Sequence, residues 1–228
     1  MAVIRAEDLT RVYRGEGVPV TAVDHVTLAV EAGEFTAIVG PSGSGKTTLL
    51  NLIGGLDRPT SGRIEVGGKD LAAMRANDRV GFRLHHIGFV FQAYNLIPVL
   101  TAQENVEFIM LLQGEPAAER TRRARELLEQ VGLGGELRRR PYQLSGGQQQ
   151  RVAVARALAS HPALVLADEP TANLDTAAAE GLLDQMERLN RTLGMSFVFS
   201  THDPRVVARA HRVIQLRDGR VVADEARA

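Results

Sequence analysis

The chain has 228 residues, of which 44% are apolar and 24% are charged, as is typical of a soluble globular domain. Its 27 lysines and arginines balance 27 aspartates and glutamates, which argues against a protein whose main task is to coat nucleic acid or an anionic membrane. There is no cysteine, so disulfides, thiolate catalysis and cysteine-based zinc sites are excluded. No apolar run approaches the roughly 18 residues of a membrane span, and the N-terminus lacks the apolar stretch of a signal peptide. These features indicate a soluble cytosolic protein.

Short apolar runs alternate with longer amphipathic stretches along the chain, which favours an α/β domain with a largely parallel sheet. Strands are predicted near the N-terminus where residues alternate in polarity or are β-branched, at 3–9, 25–30 and 63–66. The apolar run 34–39 indicates another strand, and a helix is predicted over 45–53. The first part of the chain is therefore expected to be rich in β-structure.

The middle of the chain changes character, because apolar residues recur there at helical spacing with charges on one side. Helices are predicted at 102–112 and 118–131, and we interpret the segment from about 93 to 160 as a helical subdomain inserted into a single domain that spans 1–228. The remaining elements are helices at 147–159 and 177–193, buried strands at 163–167 and 197–200, and a final pair of strands at 212–216 and 221–223.

A glycine-rich segment between the strand 34–39 and the following helix matches the phosphate-loop pattern G-x-x-x-x-G-K-[ST]. Its residues are Gly40, Pro41, Ser42, Gly43, Ser44, Gly45, Lys46 and Thr47, and we include the adjacent Thr48. Glycines let backbone N–H groups turn inward around phosphate oxygens, and a helix N-terminus favours an anion. Lys46 supplies a compact charge for the terminal phosphates, and the Thr47 hydroxyl is a candidate Mg²⁺ ligand. The alternative is a glycine-rich turn between a strand and a helix that binds nothing.

Two acids, Asp168 and Glu169, follow the predicted strand 163–167. A strand end near a phosphate loop can present Asp168 to a Mg²⁺ ion. Glu169 is then a candidate general base for the attacking water. The alternative is that the two acids merely begin a loop after the strand. The phosphate loop earlier in the chain makes that alternative less favoured.

A second candidate anion site opens the helix predicted at 147–159. It comprises Leu144, Ser145, Gly146, Gly147 and Gln148. Serine is a favourable helix N-cap, and the two glycines leave backbone N–H groups accessible. One nucleotide fold would then have two helix starts that could bind phosphate. A dimer in which each chain completes the other's site explains this arrangement. The simpler interpretation is that Ser145 is an ordinary helix N-cap followed by two glycines.

Several segments together resemble, in order and spacing, the nucleotide-binding subunit of ABC transporters over nearly the whole chain. They are 40–47, Gln92, 144–148, 166–169, 173–175 and His202. The resemblance implies an ABC-type P-loop ATPase core with an antiparallel β subdomain and an inserted helical subdomain. It also implies ATP and Mg²⁺ as ligands, with Gln92 as a catalytic and Mg²⁺-sensing residue and His202 in contact with the γ-phosphate.

The same resemblance implies that Tyr13 stacks on adenine and that Asp175, like Gln148, belongs to the nucleotide-binding set near the dimer interface. Two chains would close head to tail around two ATP molecules. Ser145, Gly146 and Gly147 of one chain would then face the phosphate that Lys46 holds in the other. The implied partners are a second copy and a separate transmembrane permease, with no nucleic acid and no direct contact with the transported substrate. The implied location is the cytoplasmic side of the inner membrane.

Within the family, an extra stretch at 15–20 and the segments 91–98 and 144–152 look like the branch of macrolide exporters, lipoprotein-release systems and a cell-division ATPase. Because the chain ends at Ala228, the membrane partner is expected on a separate chain, and the apolar residues of 94–100 are our candidate docking surface. An ATPase that regulates a membrane partner without transport and the ATPase of a small-solute importer remain alternatives. DNA-associated relatives are disfavoured because no sustained heptads separate Gln92 from Leu144.

Overall fold

The computed structural model describes residues 1–15 and 18–227, so part of the extra stretch predicted at 15–20 and the C-terminal Ala228 lie outside the described residues. The strands are β1 (Ala2–Tyr13), β2 (Val20–Glu31), β3 (Phe35–Val39), β4 (Ser61–Val66), β5 (Lys69–Asp70), β6 (Ile87–Phe91), β7 (Leu164–Asp168), β8 (Ser196–Thr201), β9 (Arg212–Arg217) and β10 (Arg220–Ala226). The α-helices are α1 (Lys46–Ile53), α2 (Ala76–His86), α3 (Ala102–Leu112), α4 (Ala117–Gln130), α5 (Gly146–Leu158), α6 (Thr176–Leu193) and α7 (Pro204–Arg209).

The central sheet has six strands in the order β10-β9-β3-β8-β7-β6. Five of them run parallel, and β10 returns antiparallel to β9. Strands β3, β6, β7 and β8 are mainly apolar and largely buried, as expected when helices or a second sheet cover both faces. Strand β9 differs, since Arg212, Gln215 and Arg217 occupy its less buried positions. Phe35 of β3 packs against Phe199 of β8 with ring centroids 4.6 Å apart, which fixes the centre of this sheet.

A smaller antiparallel sheet in the order β2-β1-β4-β5 lies beside the central one. Its buried residues share a core with α1 and with one face of the central strands, including Ile38 and Leu166. A second core lies among α3, α4, α5, α6 and the other face of the sheet. The α/β class expected from the sequence is confirmed, and α3, α4 and α5 lie between β6 and β7 in chain order.

Two helices have no counterpart among the elements predicted from the sequence. None of the residues of α2 is buried, and Gly81 interrupts its middle, where glycine disfavours a helix. Helix α7 has only six residues after its N-cap Asp203, too few for a periodic apolar pattern. Among the described residues, no helix combines the length and the apolar character needed to cross a membrane.

Candidate functional site

The register of the parallel strands brings several predicted residues to one edge of the central sheet. Val39 lies opposite Thr201, and Asp168 lies opposite both Ser200 and Phe91. The loops that follow β3, β6, β7 and β8 therefore leave the sheet side by side, as is typical of ligand sites in α/β folds.

These loops line one cavity of about 590 Å³. Its lining residues are Ala22, Gly40, Pro41, Ser42, Gly43, Ser44, Gly45, Lys46, Thr47, Thr48, Gln92, Glu169, Ala172 and His202. The whole glycine-rich loop thus meets Gln92, Glu169 and His202, which are distant in sequence. Sequence reasoning missed Ala22 and Ala172, because a small apolar residue carries no chemical signal of its own.

The glycine-rich loop is built around the buried Lys46, whose ammonium donates to the carbonyl oxygens of Gly40 at 2.8 Å and Pro41 at 3.0 Å. These two bonds hold the positive charge at the mouth of the loop, beside the N-terminus of α1. A cation next to unpaired helix N–H groups favours an anion in the cavity.

Gly45 is required where the loop enters α1. Its φ is +100°, and a Cβ added there would lie 2.1 Å from the carbonyl oxygen of Ala22. Only glycine accommodates both the left-handed conformation and the close approach of the β2 backbone. The loop is therefore locked against β2, which explains why Ala22 lines the cavity.

The Thr47 hydroxyl donates to the Asp168 carboxylate at 3.2 Å, so an α1 side chain meets the end of β7. A hydroxyl and a carboxylate are oxygen ligands of the kind that Mg²⁺ prefers, and Mg²⁺ commonly binds one or two such groups together with substrate phosphates. Among the residues described, no group of three histidine or acidic side chains could hold a metal unaided. The pair therefore fits a Mg²⁺ ion that arrives with a phosphorylated ligand.

Glu169 and His202 form a second polar pair, and both line the cavity. His202 Nδ1 lies 2.7 Å from Glu169 Oε1, while Glu169 Oε2 accepts from the Thr201 hydroxyl at 3.2 Å. The backbone of Glu169 is left-handed, with φ of +46°. Strained residues of this kind cluster at functional sites, and both side chains are fixed at the edge of the sheet.

Gln92 enters the cavity from the turn that follows β6. Its carbonyl oxygen accepts from the Asn173 side chain at 2.9 Å, and the Tyr94 hydroxyl donates to the Asn173 carbonyl at 3.4 Å. The segment at 173–175 is therefore tied to the Gln92 turn, a link that sequence spacing alone does not reveal.

The other predicted residues lie outside this cavity within the chain. Ser145 caps α5 in a reciprocal capping box with Gln148, and Asp175 caps α6 by accepting from the Ala178 N–H at 2.8 Å. The Tyr94 hydroxyl occupies the space beside Gly146, where an added Cβ would lie 2.8 Å from it. The two helix starts therefore differ: residues at the start of α1 line the cavity of their own chain, and those at the start of α5 do not.

Tyr13 also lies outside the cavity lining. Its hydroxyl donates to Asp57 at 2.8 Å, the same carboxylate oxygen that accepts from Arg11 Nε at 2.9 Å, and the Arg11 guanidinium stands 4.5 Å from the ring centroid. One face of the ring is thus engaged by a cation. The adenine-stacking role of Tyr13 stays a prediction.

A separate, mainly apolar groove of about 460 Å³ lies between α2, β6, α3 and α5. Its lining includes the half-exposed Leu56 and Val80 together with Asn95, Ile97 and Arg156. Asn95 and Ile97 belong to the segment 94–100 that we predicted as a docking surface. The Gln92 turn therefore has the cavity on one side and the groove on the other.

Comparison with known proteins agrees with this geometry. The family model described as ABC transporter matches residues 23–172. The lipoprotein-releasing system ATP-binding protein LolD of Anaeromyxobacter dehalogenans is 55% identical over 91% of this chain and 88% of the relative. The macrolide export ATP-binding/permease protein MacB of Hyphomonas neptunium is 46% identical over 97% of this chain, which spans 34% of that relative.

A solved structure supports the same relationship at the level of the fold. It is described as the dimeric post-hydrolysis state of an ATP-binding cassette bound to ADP and Pi. It superimposes with a TM-score of 0.91 at 40% sequence identity and covers 98% of both chains.

Proposed function

The chain belongs to the ABC transporter family as an ATP-binding, ATP-hydrolysing subunit, and from that premise we propose how its residues act and which machine it drives. The observation that carries the proposal is the cavity in which the glycine-rich loop meets Gln92, Glu169 and His202. The loop binds the phosphates of ATP through backbone N–H groups and Lys46, and Thr48 belongs to the same surface.

Thr47, Asp168 and Gln92 would hold Mg²⁺ with the phosphates, where the ion, when bound, neutralises the charge that develops during phosphoryl transfer. The 3.2 Å contact between Thr47 and Asp168 supports this assignment. Lys46 is held beside them by the carbonyls of the loop and supplies a second positive charge.

Glu169 is proposed as the base that accepts a proton from the attacking water. The reaction is an in-line displacement in which water oxygen bonds to the γ-phosphorus, the bond to the ADP oxygen breaks, and ADP and phosphate leave. His202, bonded to Glu169 at 2.7 Å, orients that carboxylate and reaches toward the γ-phosphate. The left-handed backbone of Glu169 directs its side chain into the cavity.

Two chains are proposed to close head to tail. Ser145, Gly146, Gly147 and Gln148 open α5 but do not line the cavity of their own chain. In a dimer this second helix start would face the phosphates bound by the other copy, with Asp175 at the interface. We propose that the chain is a single domain with an inserted helical subdomain at about 93–160, and that each copy contributes half of each of two sites.

The proposed machine is an exporter or mechanotransmission system of the lipoprotein-release or macrolide-export type. The identity to relatives with those names supports this branch. We propose a separate transmembrane permease that docks in the apolar groove beside 94–100, which places this subunit peripherally on the cytoplasmic side of the cell membrane. In this proposal, the subunit contacts neither the transported substrate nor nucleic acid.

The substitution Glu169→Gln tests the chemistry. Glutamine keeps the size of the side chain but cannot accept the water proton, so we expect ATP binding to persist while turnover falls at least about a hundredfold. The matched control is Glu225→Gln on the exposed strand β10, which should leave turnover unchanged. Undiminished hydrolysis in purified Glu169→Gln protein would overturn the role of Glu169.

Co-purification tests the machine. Recovery with a four-helix membrane protein that bears a large periplasmic domain supports the exporter or mechanotransmission assignment. Recovery with a polytopic permease and a soluble binding protein would reject that assignment in favour of an importer.

A further inference from the structure

The turn after Gln92 has an unusual backbone. Tyr94 and Asn95 are consecutive non-glycine residues with φ of +39° and +51°, and the Asn95 N–H donates to the Ala93 carbonyl across Tyr94. Residues other than glycine adopt this left-handed region only when the surroundings compensate for its conformational cost.

Arg156 of α5 supplies that compensation. Its Nη2 donates to the Tyr94 carbonyl at 2.8 Å, and its Nη1 donates to the Asn95 carbonyl at 2.5 Å. Partial burial lowers the pKa of this guanidinium. The partly buried guanidinium of Arg156, which donates to two successive carbonyls, thus acts as a rigid fork fitted to this turn.

The other side of the turn is fixed at Asn173. The Gln92 carbonyl accepts from the Asn173 side chain, and the Tyr94 hydroxyl donates to the Asn173 backbone. Arg156 and Asn173 therefore hold the turn from two sides, and the Gln92 side chain leaves it toward the cavity.

We propose that Arg156 is a positioning residue that holds Gln92 in place for the Mg²⁺–nucleotide complex. Arg156 acts through the carbonyls of Tyr94 and Asn95 and does not itself line the nucleotide cavity. The inference rests on the proposed function, in which Gln92 is a Mg²⁺ ligand together with Thr47 and Asp168. Because Arg156 also lines the apolar groove, it connects the groove to the Mg²⁺ site through a single turn.

The test measures binding and requires no turnover. The affinity of the chain for the non-hydrolysable ATP analogue AMP-PNP is measured by calorimetry in EDTA and again in saturating Mg²⁺, and the ratio of the two dissociation constants gives the Mg²⁺ effect. Arg156→Lys replaces the planar fork, whose two N–H groups point in fixed directions, with a compact ammonium on a flexible stem. We therefore expect the two carbonyls to be held less rigidly and the ratio to fall at least about threefold, in line with other residues that orient metal ligands. The affinity in EDTA should stay within about twofold of that of the unmodified chain.

Arg123 provides a matched control. It also donates to two successive carbonyls, those of Leu158 and Ala159, at 3.2 Å each, and burial likewise lowers the pKa of its guanidinium. Arg123→Lys should lower the melting temperature as Arg156→Lys does, yet leave the Mg²⁺ effect unchanged. Arg156→Gln, which retains one donor group for the carbonyls, serves as a second variant should the lysine variant fold poorly.

The outcomes separate this inference from the proposal on which it rests. If Arg156→Lys and Arg123→Lys change the Mg²⁺ effect equally, while Gln92→Ala reduces it further than either, the positioning role of Arg156 is wrong and the Mg²⁺ site stands. If Gln92→Ala leaves the Mg²⁺ effect intact, the Mg²⁺ role of Gln92 is wrong and the inference falls with it. If Arg156 acts through Gln92, adding Arg156→Lys to Gln92→Ala should cause no further loss.

Discussion

At the residue scale, Asp203 connects the two loops that carry Glu169 and His202. Its carboxylate accepts from the Thr171 hydroxyl at 2.6 Å and from Arg205 Nη2 at 2.7 Å. Burial by itself would raise the pKa of Asp203, but the bonds from Arg205 and Thr171 outweigh it and lower the pKa to about 2. The ionised carboxylate thus fixes the loop after Glu169 to the loop after His202.

This low pKa makes the stability of the protein depend on pH in a definite direction. An unfolded aspartate has a pKa of 3.8, so the folded state binds its proton less readily than the unfolded state. The stabilisation, about 2 kcal/mol, is complete above about pH 5 and is lost as the pH falls through about 2. Asp203→Asn should therefore cost about 2 kcal/mol at pH 7 and about half as much at pH 3.

Denaturant unfolding at the two pH values measures this effect. Asp184→Asn, which breaks the exposed ion pair with Arg209, is the control and should change the free energy of unfolding by no more than about 0.5 kcal/mol. An equal cost of Asp203→Asn at both pH values would show that its charge does not carry the link.

The residues that sequence reasoning found are those with distinctive chemistry in fixed local patterns, such as Lys46 in its glycine-rich loop and Glu169 after an apolar strand. The structure brings both into one cavity. The contacts that hold the surrounding loops were not predictable, because Asp203 acts through the distant Thr171 hydroxyl, and Asn173 and Arg156 bond to backbone carbonyls of the Gln92 turn. Such contacts depend on tertiary packing and leave no periodic or compositional pattern in the chain.

At the element scale, the start of α1 depends on two glycines that differ in their surroundings. Gly43 and Gly45 both have positive φ, at +78° and +100°. A Cβ at Gly45 would collide with the Ala22 carbonyl, whereas one at Gly43 would meet no atom within 4 Å. The loop therefore needs glycine at one position for its conformation alone and at the other for conformation and space.

We expect Gly43→Ala to fold with a loss of about 1–2 kcal/mol, the cost of a left-handed alanine. Gly45→Ala should lose substantially more or fail to fold, because neither the loop nor the β2 backbone can move away freely. Thermal unfolding of the two purified variants measures the difference. Equal melting temperatures would contradict the close packing of β2 against the loop.

The order of strands and helices followed from the sequence because most elements carry a strong local pattern. The predicted strand 34–39 and helix 177–193 match β3 and α6 closely. Strands β1 and β2 extend to 12 residues each, longer than predicted, since pairing between strands prolongs them beyond their apolar segments. Helix α2 was missed because none of its residues is buried and Gly81 lies in its middle, so it carries no strong apolar periodicity.

At the scale of the whole molecule, one chain holds two helix starts suited to phosphate, yet only α1 opens into its own cavity. Ser145 is exposed at the start of α5, where its hydroxyl is bonded to the Gln148 N–H. A head-to-tail dimer gives this surface a ligand, since each copy then completes the site of the other. The solved cassette with 40% identity is itself dimeric, so a chain of this fold can form a dimer.

Mixing two inactive variants tests the shared site most directly. Lys46→Ala removes the phosphate-binding cation, and Ser145→Asp keeps a good N-cap residue while placing a negative charge opposite the phosphates. In a head-to-tail dimer with one copy of each variant, one of the two sites contains both an intact Lys46 and an intact Ser145. The mixture should therefore recover about a quarter of the sites of the unmodified protein, measured as ATPase activity after exchange of subunits. If the mixture is no more active than either variant alone, Lys46 and Ser145 do not act on the same ATP from different chains.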